Sequence, residues 1–298
     1  MSINKANTHI LPVEFKYYAP TSLDEALQLL SEHRGDSAIL AGGTDLLVKM
    51  KQRLVEPRHV INIKHIGELS SIEERQDGIY IGAATKLRAV EKSEMIKEKV
   101  PVLQEAVRSI GSVQIRNMAT IGGNLCNASP AADSAVALLA LGSETIIASL
   151  EGLRDVRIEA FFTGPGTTAL GKNELLAGLF VPYLPEGCGT SFMKTGRTSL
   201  DIATVNTATL VRLRNGVISE CRIALGAVAP TPIRVWEAEG FLKGKKPSDE
   251  VLGEAARIAA ECIRPITDIR ATAEYRKEVS KALVMDSLAR ARKRGLKR

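Results

Sequence analysis

The sequence predicts an α+β protein in which two glycine-loop lobes are followed by a unit built on an antiparallel sheet. Three observations carry that expectation. A strand, a tight glycine turn and a helix start follow one another around residue 40; alternating short strands flank a hairpin turn between residues 59 and 87; and from residue 203 long strands come first and helices after. At 298 residues the chain can bury a large core and divide into two or three lobes. We expect boundaries at residues 1–65, 66–187 and 188–288, with a basic tail over 289–298.

Taken in order, FKYYAPTSLDEALQLLSEH offers Thr21 or Ser22 as a cap for a helix whose apolar residues Leu23, Ala26, Leu27 and Leu30 recur at helical spacing. The run AILA then ends in Gly42 and Gly43, and TDLLVKMKQRL returns to helical periodicity. VINI and GIYIGA alternate as strands, with QDG as a turn between apolar runs. VPVLQEAVRSIG reads as an amphipathic helix. In VQIRNMATIGGNLCNASPAADSAVALLALG a polar, glycine-containing loop precedes a buried helix capped by Asp133 or Ser134.

Strands are expected again in SETIIASL, VRIEAFF and ELLAGLFVP. RNG marks a hairpin between the long strands of the third region, and EAEGFLKG, DEVLGEAARIAAECI and TAEYRKEVSKALVMDSLARARKR close the chain as helices.

Composition narrows the function classes. The net charge of +6 resides in the last ten residues, ARARKRGLKR, which carry six basic and no acidic side chains; 34 of each sign remain in the other 288. The body therefore offers no basic field to a nucleic acid, and the tail reads as a solvated, disordered end. Cys126, Cys188, Cys221 and Cys262 lie far apart without a CxxC pair, so no metal centre is expected on this chain. MSINKANTHILPVEF lacks a signal pattern, and no apolar run approaches the roughly 20 residues of a membrane span, which predicts a cytoplasmic protein with reduced thiols.

Two glycine pairs carry the chemistry. Ala41-Gly42-Gly43-Thr44-Asp45 and Thr120-Ile121-Gly122-Gly123-Asn124 each offer bare backbone. A diphosphate needs close N–H donors, and glycine permits both positive φ and close approach. Thr44, Thr120 and Asn124 add short polar groups. A turn or a packing contact would also explain either pair alone. Neither is a GxGxxG fingerprint, and GTTALGKN at residues 166–173 puts Asn173 where a Walker loop needs Ser or Thr.

Together, AILAGGTDLLVKMK, ATIGGNLCNASPAADS and ALGAVAPTPIR resemble the FAD-binding subunit of the xanthine dehydrogenase and carbon monoxide dehydrogenase (molybdenum hydroxylase) family. FKYYAPTSLDEALQLL and DIRATAEYRKEV are similar too, so the resemblance runs from about Phe15 to Leu288. It implies a two-lobed FAD-binding fold of the PCMH and vanillyl-alcohol-oxidase-like type, then an α+β flavoprotein domain. It also implies FAD contacts from Ile39, Leu40, Ala41, Gly42, Gly43, Thr44, Asp45 and Leu46, and from Thr120, Ile121, Gly122, Gly123 and Asn124. Asp133 matches a flavin-contacting acid whose plainer role is a helix cap. Ile110 matches an apolar position beside the isoalloxazine and would serve equally as core, while Leu176 and Lys194 fall at later cofactor positions.

The function implied is a relay. A molybdenum-cofactor large subunit would oxidise the substrate, a two-cluster iron-sulfur small subunit would carry the electrons, and FAD on this chain would pass them to NAD or another acceptor. No catalytic acid or base is then expected here. Two alternatives stand beside it: a self-contained FAD-dependent oxidase or reductase, and a flavin-binding assembly protein without turnover.

Overall fold

A computed structural model describes residue 11 and residues 13–296 of the chain. Most of the segment read as lacking a signal lies outside the described residues, as do Lys297 and Arg298 of the tail.

The first lobe is a three-stranded parallel sheet. β1 (Lys16–Tyr18), β2 (Ser37–Leu40) and β3 (His59–Asn62) lie in the order β1-β3-β2, joined through helices α1 (Leu23–Glu32) and α2 (Leu46–Lys51). Ser22 caps α1 by accepting the Glu25 N–H at 3.2 Å, and Ala26, Leu27 and Leu30 turn inward, as their spacing predicts. They pack with Ile61, Ile66, Leu175 and Ala177, so this core is shared with the second lobe.

The second lobe holds a five-stranded antiparallel sheet, order β4-β5-β10-β6-β7, covered by helices. In chain order these elements are β4 (Ile72–Arg75), β5 (Gly78–Gly82), α3 (Leu87–Lys92), α4 (Glu94–Lys99), α5 (Pro101–Arg108), α6 (Val113–Met118), α7 (Ile121–Cys126), α8 (Asp133–Leu141), β6 (Glu144–Ser149), β7 (Gly152–Arg157), α9 (Ile158–Phe161), a small hairpin of β8 (Phe162–Gly164) and β9 (Thr167–Thr168), and β10 (Leu175–Pro182). Every residue of α8 is buried, and Gly142 at φ +68° ends it.

The third unit is a four-stranded antiparallel sheet, β11 (Cys188–Thr195), β12 (Val205–Arg214), β13 (Val217–Gly226) and β14 (Ile233–Arg234), followed by α10 (Trp236–Leu242), α11 (Asp249–Cys262) and α12 (Ala273–Gly295). The RNG turn forms as expected: Asn215 and Gly216 both take positive φ, the conformation a two-residue hairpin needs. β12 is buried on both faces because α8 contacts one side and α12 the other. Gly189 makes the α12 contact possible, since a side chain there would strike the Ala291 carbonyl and the Gly295 amide.

Three expectations are corrected. VRIEAFF is not a strand throughout, because α9 interrupts it and turns Ile158 and Phe161 into the main core. TIGGN is not a loop but the cap and first turns of α7. The basic tail is not a solvated end within the described residues, since α12 continues to Gly295. There Arg294 donates to Thr190 O at 2.7 Å and pairs with Glu105 at 2.6 Å, while Arg292 pairs with Asp249 at 3.0 Å. Cations in the last turn complement the helix dipole, and these pairs anchor the helix end across the molecule. Among the described residues, no helix is long and apolar enough to cross a membrane.

Candidate cofactor-binding site

β2 ends at Leu40, the chain turns through residues 41–45 and α2 begins. Gly43 makes this turn possible with φ +80°. Gly42 has another reason: a Cβ there would stand 2.7 Å from Ala119 Cα and strike the Met118 carbonyl, so the turn lies directly against the end of α6. Thr120 then caps α7, accepting the Gly123 N–H at 3.0 Å. Gly122 is likewise a packing glycine, for a Cβ would stand 2.7 Å from Ala83 O. Gly123 is different. Its added Cβ would meet only the Thr120 hydroxyl at 2.9 Å and Ala41 Cβ at 4.0 Å, across the gap between the two glycine segments.

That gap is a cleft of about 300 Å³. Ile39, Ala41, Gly42, Gly43, Thr44, Asp45, Leu46, Thr120, Gly122, Gly123, Asn124 and Leu176 line it, so the fold brings most of the sequence-predicted residues together. Leu40 and Ile121 do not join them, because their side chains fill the cores beneath each segment. Lys49, Val55, Cys126, Asn127, Leu170 and Glu174 also line the cleft without having been singled out in the sequence. A lysine on an amphipathic helix and residues far along the chain gave no local signal.

The two segments contribute different chemistry. None of the backbone N–H groups of residues 42–46 finds an acceptor among the described residues. All five residues line the cleft, and a run of uncommitted backbone donors there suits anionic oxygens. The amides of the second segment are already committed: Ile121 N–H donates to Thr85 O and Gly122 N–H to Ala83 O, both at 2.9 Å. It therefore contributes a bare wall at Gly123 and the side chain of Asn124, whose Oδ1 accepts the Ser134 hydroxyl at 2.6 Å. Glu174 is held away from any ligand role by the Arg154 guanidinium, at 2.6 and 2.7 Å, and by the Gly171 N–H at 2.6 Å. Those bonds keep its carboxyl below the usual range.

Ile110, Asp133 and Lys194 do not line this cleft. They gather in a neighbouring buried cluster where the second and third units meet. Lys194 Nζ lies 2.8 Å from Asp133 Oδ2 and donates to Ser109 O at 3.0 Å; Ser109 Oγ donates to Oδ2 at 3.0 Å, and Asn206 Nδ2 donates to Oδ1. Ile110 follows directly, half-buried against the main core. Asp133 is consequently not the cap of α8: Ala132 stands in that position and no side chain caps the helix. Three donors from outside the helix claim its carboxylate instead. Burial pushes the Asp133 carboxyl up, opposed by the Lys194 ammonium and the Asn206 and Ser109 donors. The Ser134–Asn124 bond links this cluster to the cleft, one residue along α8.

Similarity to known proteins extends over most of the chain. Residues 13–184 match the family described as the FAD binding domain in molybdopterin dehydrogenase, and residues 190–291 match the CO dehydrogenase flavoprotein C-terminal domain. The chain is 37% identical over 274 residues to the glyceraldehyde dehydrogenase medium chain of Sulfolobus acidocaldarius, covering 92% of this chain and 97% of that one. It is 34% identical over 279 residues to the carbon monoxide dehydrogenase medium chain of Hydrogenophaga pseudoflava, covering 94% and 97%. The solved structure of carbon monoxide dehydrogenase from Hydrogenophaga pseudoflava superposes with a TM-score of 0.93 at 35% identity, covering 96% of this chain and 99% of that one.

Proposed function

The chain belongs to the FAD-binding subunits of the molybdenum-hydroxylase dehydrogenases, and from that premise we propose that it relays electrons from iron-sulfur clusters on a small partner chain, through its FAD, to NAD or another acceptor. Substrate oxidation then belongs to a molybdenum-bearing large partner. The observation that carries the reading is the run of unpartnered amides over residues 42–46, facing Gly123 across one cleft. It offers a dinucleotide a diphosphate seat within segments that match FAD-binding and flavoprotein domains. Glyceraldehyde and carbon monoxide dehydrogenases carry medium chains similar to this one although the substrates in their names are unrelated, which supports placing substrate choice on another chain.

In this reading the amides of residues 42–46 hold the diphosphate. Asn124 orients the cofactor from the opposite wall, Leu176 packs against its apolar part, and Ile110, Asp133 and Lys194 set the surroundings of the flavin ring. FAD supplies the redox chemistry, taking electrons singly and releasing a pair. The chain contributes binding, orientation and charge, and no proton transfer at a substrate. A cytoplasmic setting fits its scattered cysteines.

Anaerobic stopped-flow spectra test the relay. The isolated FAD-loaded chain should be reduced by a chemical reductant but not by organic substrates, and adding the co-purified partners should bring substrate-dependent reduction. Rapid bleaching of the isolated chain by a small substrate would replace the relay with a self-contained oxidase.

A further inference from the structure

Lys49 is the one cation among the described residues that line the cleft. It sits on α2, one turn beyond Asp45. A lysine four residues after an aspartate is within pairing reach of it along a helix. Here no such pair forms. The Lys49 side chain instead reaches across the cleft and donates from Nζ to Asn127 Oδ1 at 2.8 Å, joining residues 78 positions apart. Asn127 is itself fixed, because it closes α7 and its backbone N–H donates to Gly123 O at 3.0 Å.

The partner is a neutral amide, so the ammonium charge is left uncompensated, and two of its three donors are free of any partner among the described residues. Of the two carboxylates lining the cleft, Glu174 is committed to Arg154 and Asp45 makes no ion pair with Lys49. A lone ammonium held over a cleft, one helical turn from five unpartnered amides, matches a ligand with two or more anionic oxygens.

We propose that Lys49 is the cationic contact for the diphosphate of FAD and that Asn127 is the positioning residue that holds its ammonium over the cleft. The proposal rests on the FAD-binding reading above and adds to it the positive charge that the glycine segments lack. A purely mechanical role, in which the Lys49–Asn127 bond only ties α2 to α7, is the rival explanation.

Flavin-free full-length chain, wild type and the variants Lys49→Met, Lys49→Arg and Asn127→Ala, should be titrated with FAD by fluorescence quenching at 50 and 500 mM NaCl, with thermal unfolding recorded alongside. Losing one charge-assisted contact weakens FAD binding about tenfold to a hundredfold in Lys49→Met at low salt. The salt dependence of Kd should flatten in that variant, because the screened interaction is gone. Lys49→Arg should recover most of the affinity and its salt dependence, and Asn127→Ala should lose less than Lys49→Met. Unchanged affinity and salt dependence in Lys49→Met overturns the assignment, as does a loss confined to thermal stability. If the wild type itself binds no FAD, the functional reading fails rather than this contact alone.

Discussion

The four glycines of the cleft should separate into folding glycines and a binding glycine, and the pair Gly122→Ala and Gly123→Ala tests this. The two residues are adjacent in one helix, so any helix-propensity gain is common to both, about 1 kcal/mol for Ala over Gly. At Gly122 the new methyl meets Ala83 Cβ at 2.5 Å and Ala83 O at 2.7 Å, within a contact that also carries the Gly122 N–H···O bond. Overpacking against backbone costs ~1–3 kcal/mol, so the net effect is a loss of up to ~2 kcal/mol, or several degrees in Tm. At Gly123 the methyl disturbs only the Thr120 cap, 2.9 Å away, at ~1 kcal/mol, which the helix gain offsets. Its Tm should stay within a degree or two of wild type. The methyl also stands in the gap facing Ala41, so FAD affinity should fall at least about tenfold, equivalent to ~1.4 kcal/mol. Thermal unfolding of the flavin-free proteins and FAD titration measure both quantities. Equal FAD affinity in Gly123→Ala and wild type, or a larger stability loss there than in Gly122→Ala, refutes the division.

Two further outcomes concern ion pairs that join separate parts of the fold. Asp133→Asn and Lys194→Met each leave one member of a buried pair uncompensated, a loss of ~3–5 kcal/mol, so the double variant should be clearly less destabilised than the sum; strict additivity in denaturant unfolding would mean the two do not couple. Asp268 titrates at about 2 in the folded chain because, against its burial, the backbone N–H of Arg270 and the Arg276 guanidinium hold its carboxylate ionised. A depressed carboxyl stabilises above its unfolded pKa and loses that contribution as pH falls through its folded one. Tm should therefore decline between pH 4 and 2, and Asp268→Asn should be less stable at neutral pH yet show a shallower acid decline; parallel acid limbs would remove Asp268 as the cause.

The sequence located the cleft more securely than it explained it. Glycine pairs next to helix starts are legible locally, but a turn explains either one alone, and it was their joint resemblance to a flavoprotein family that pointed both segments toward a dinucleotide. The reason for each glycine is not legible, because Gly42 answers to Met118 and Ala119, and Gly122 to Ala83, in parts of the chain a local reading does not connect. Asp133 misled for the same reason. An acid before a hydrophobic run is the usual mark of a cap, and only the folded chain brings Lys194 and Asn206 to its carboxylate. Lys49 carries no local mark, since it meets Asn127 only across the gap, and the tail arginines read as a solvated end until Glu105 and Asp249 came within reach.

The way α12 lies over β11 and β12 also dictates an order of events during synthesis. Ser287 bonds Thr209 across 78 positions, and Arg294 bonds Thr190 across 104. When β11 to β13 have left the ribosome, the face of their sheet that meets Val284, Leu288 and Ala291 has nothing to cover it, because those residues are still to be made. The hairpins can close early by local pairing, but the unit stays open on one side until the chain is translated past residue 295. During that interval its strands present an uncovered apolar face, the kind of surface on a nascent chain that chaperones shield.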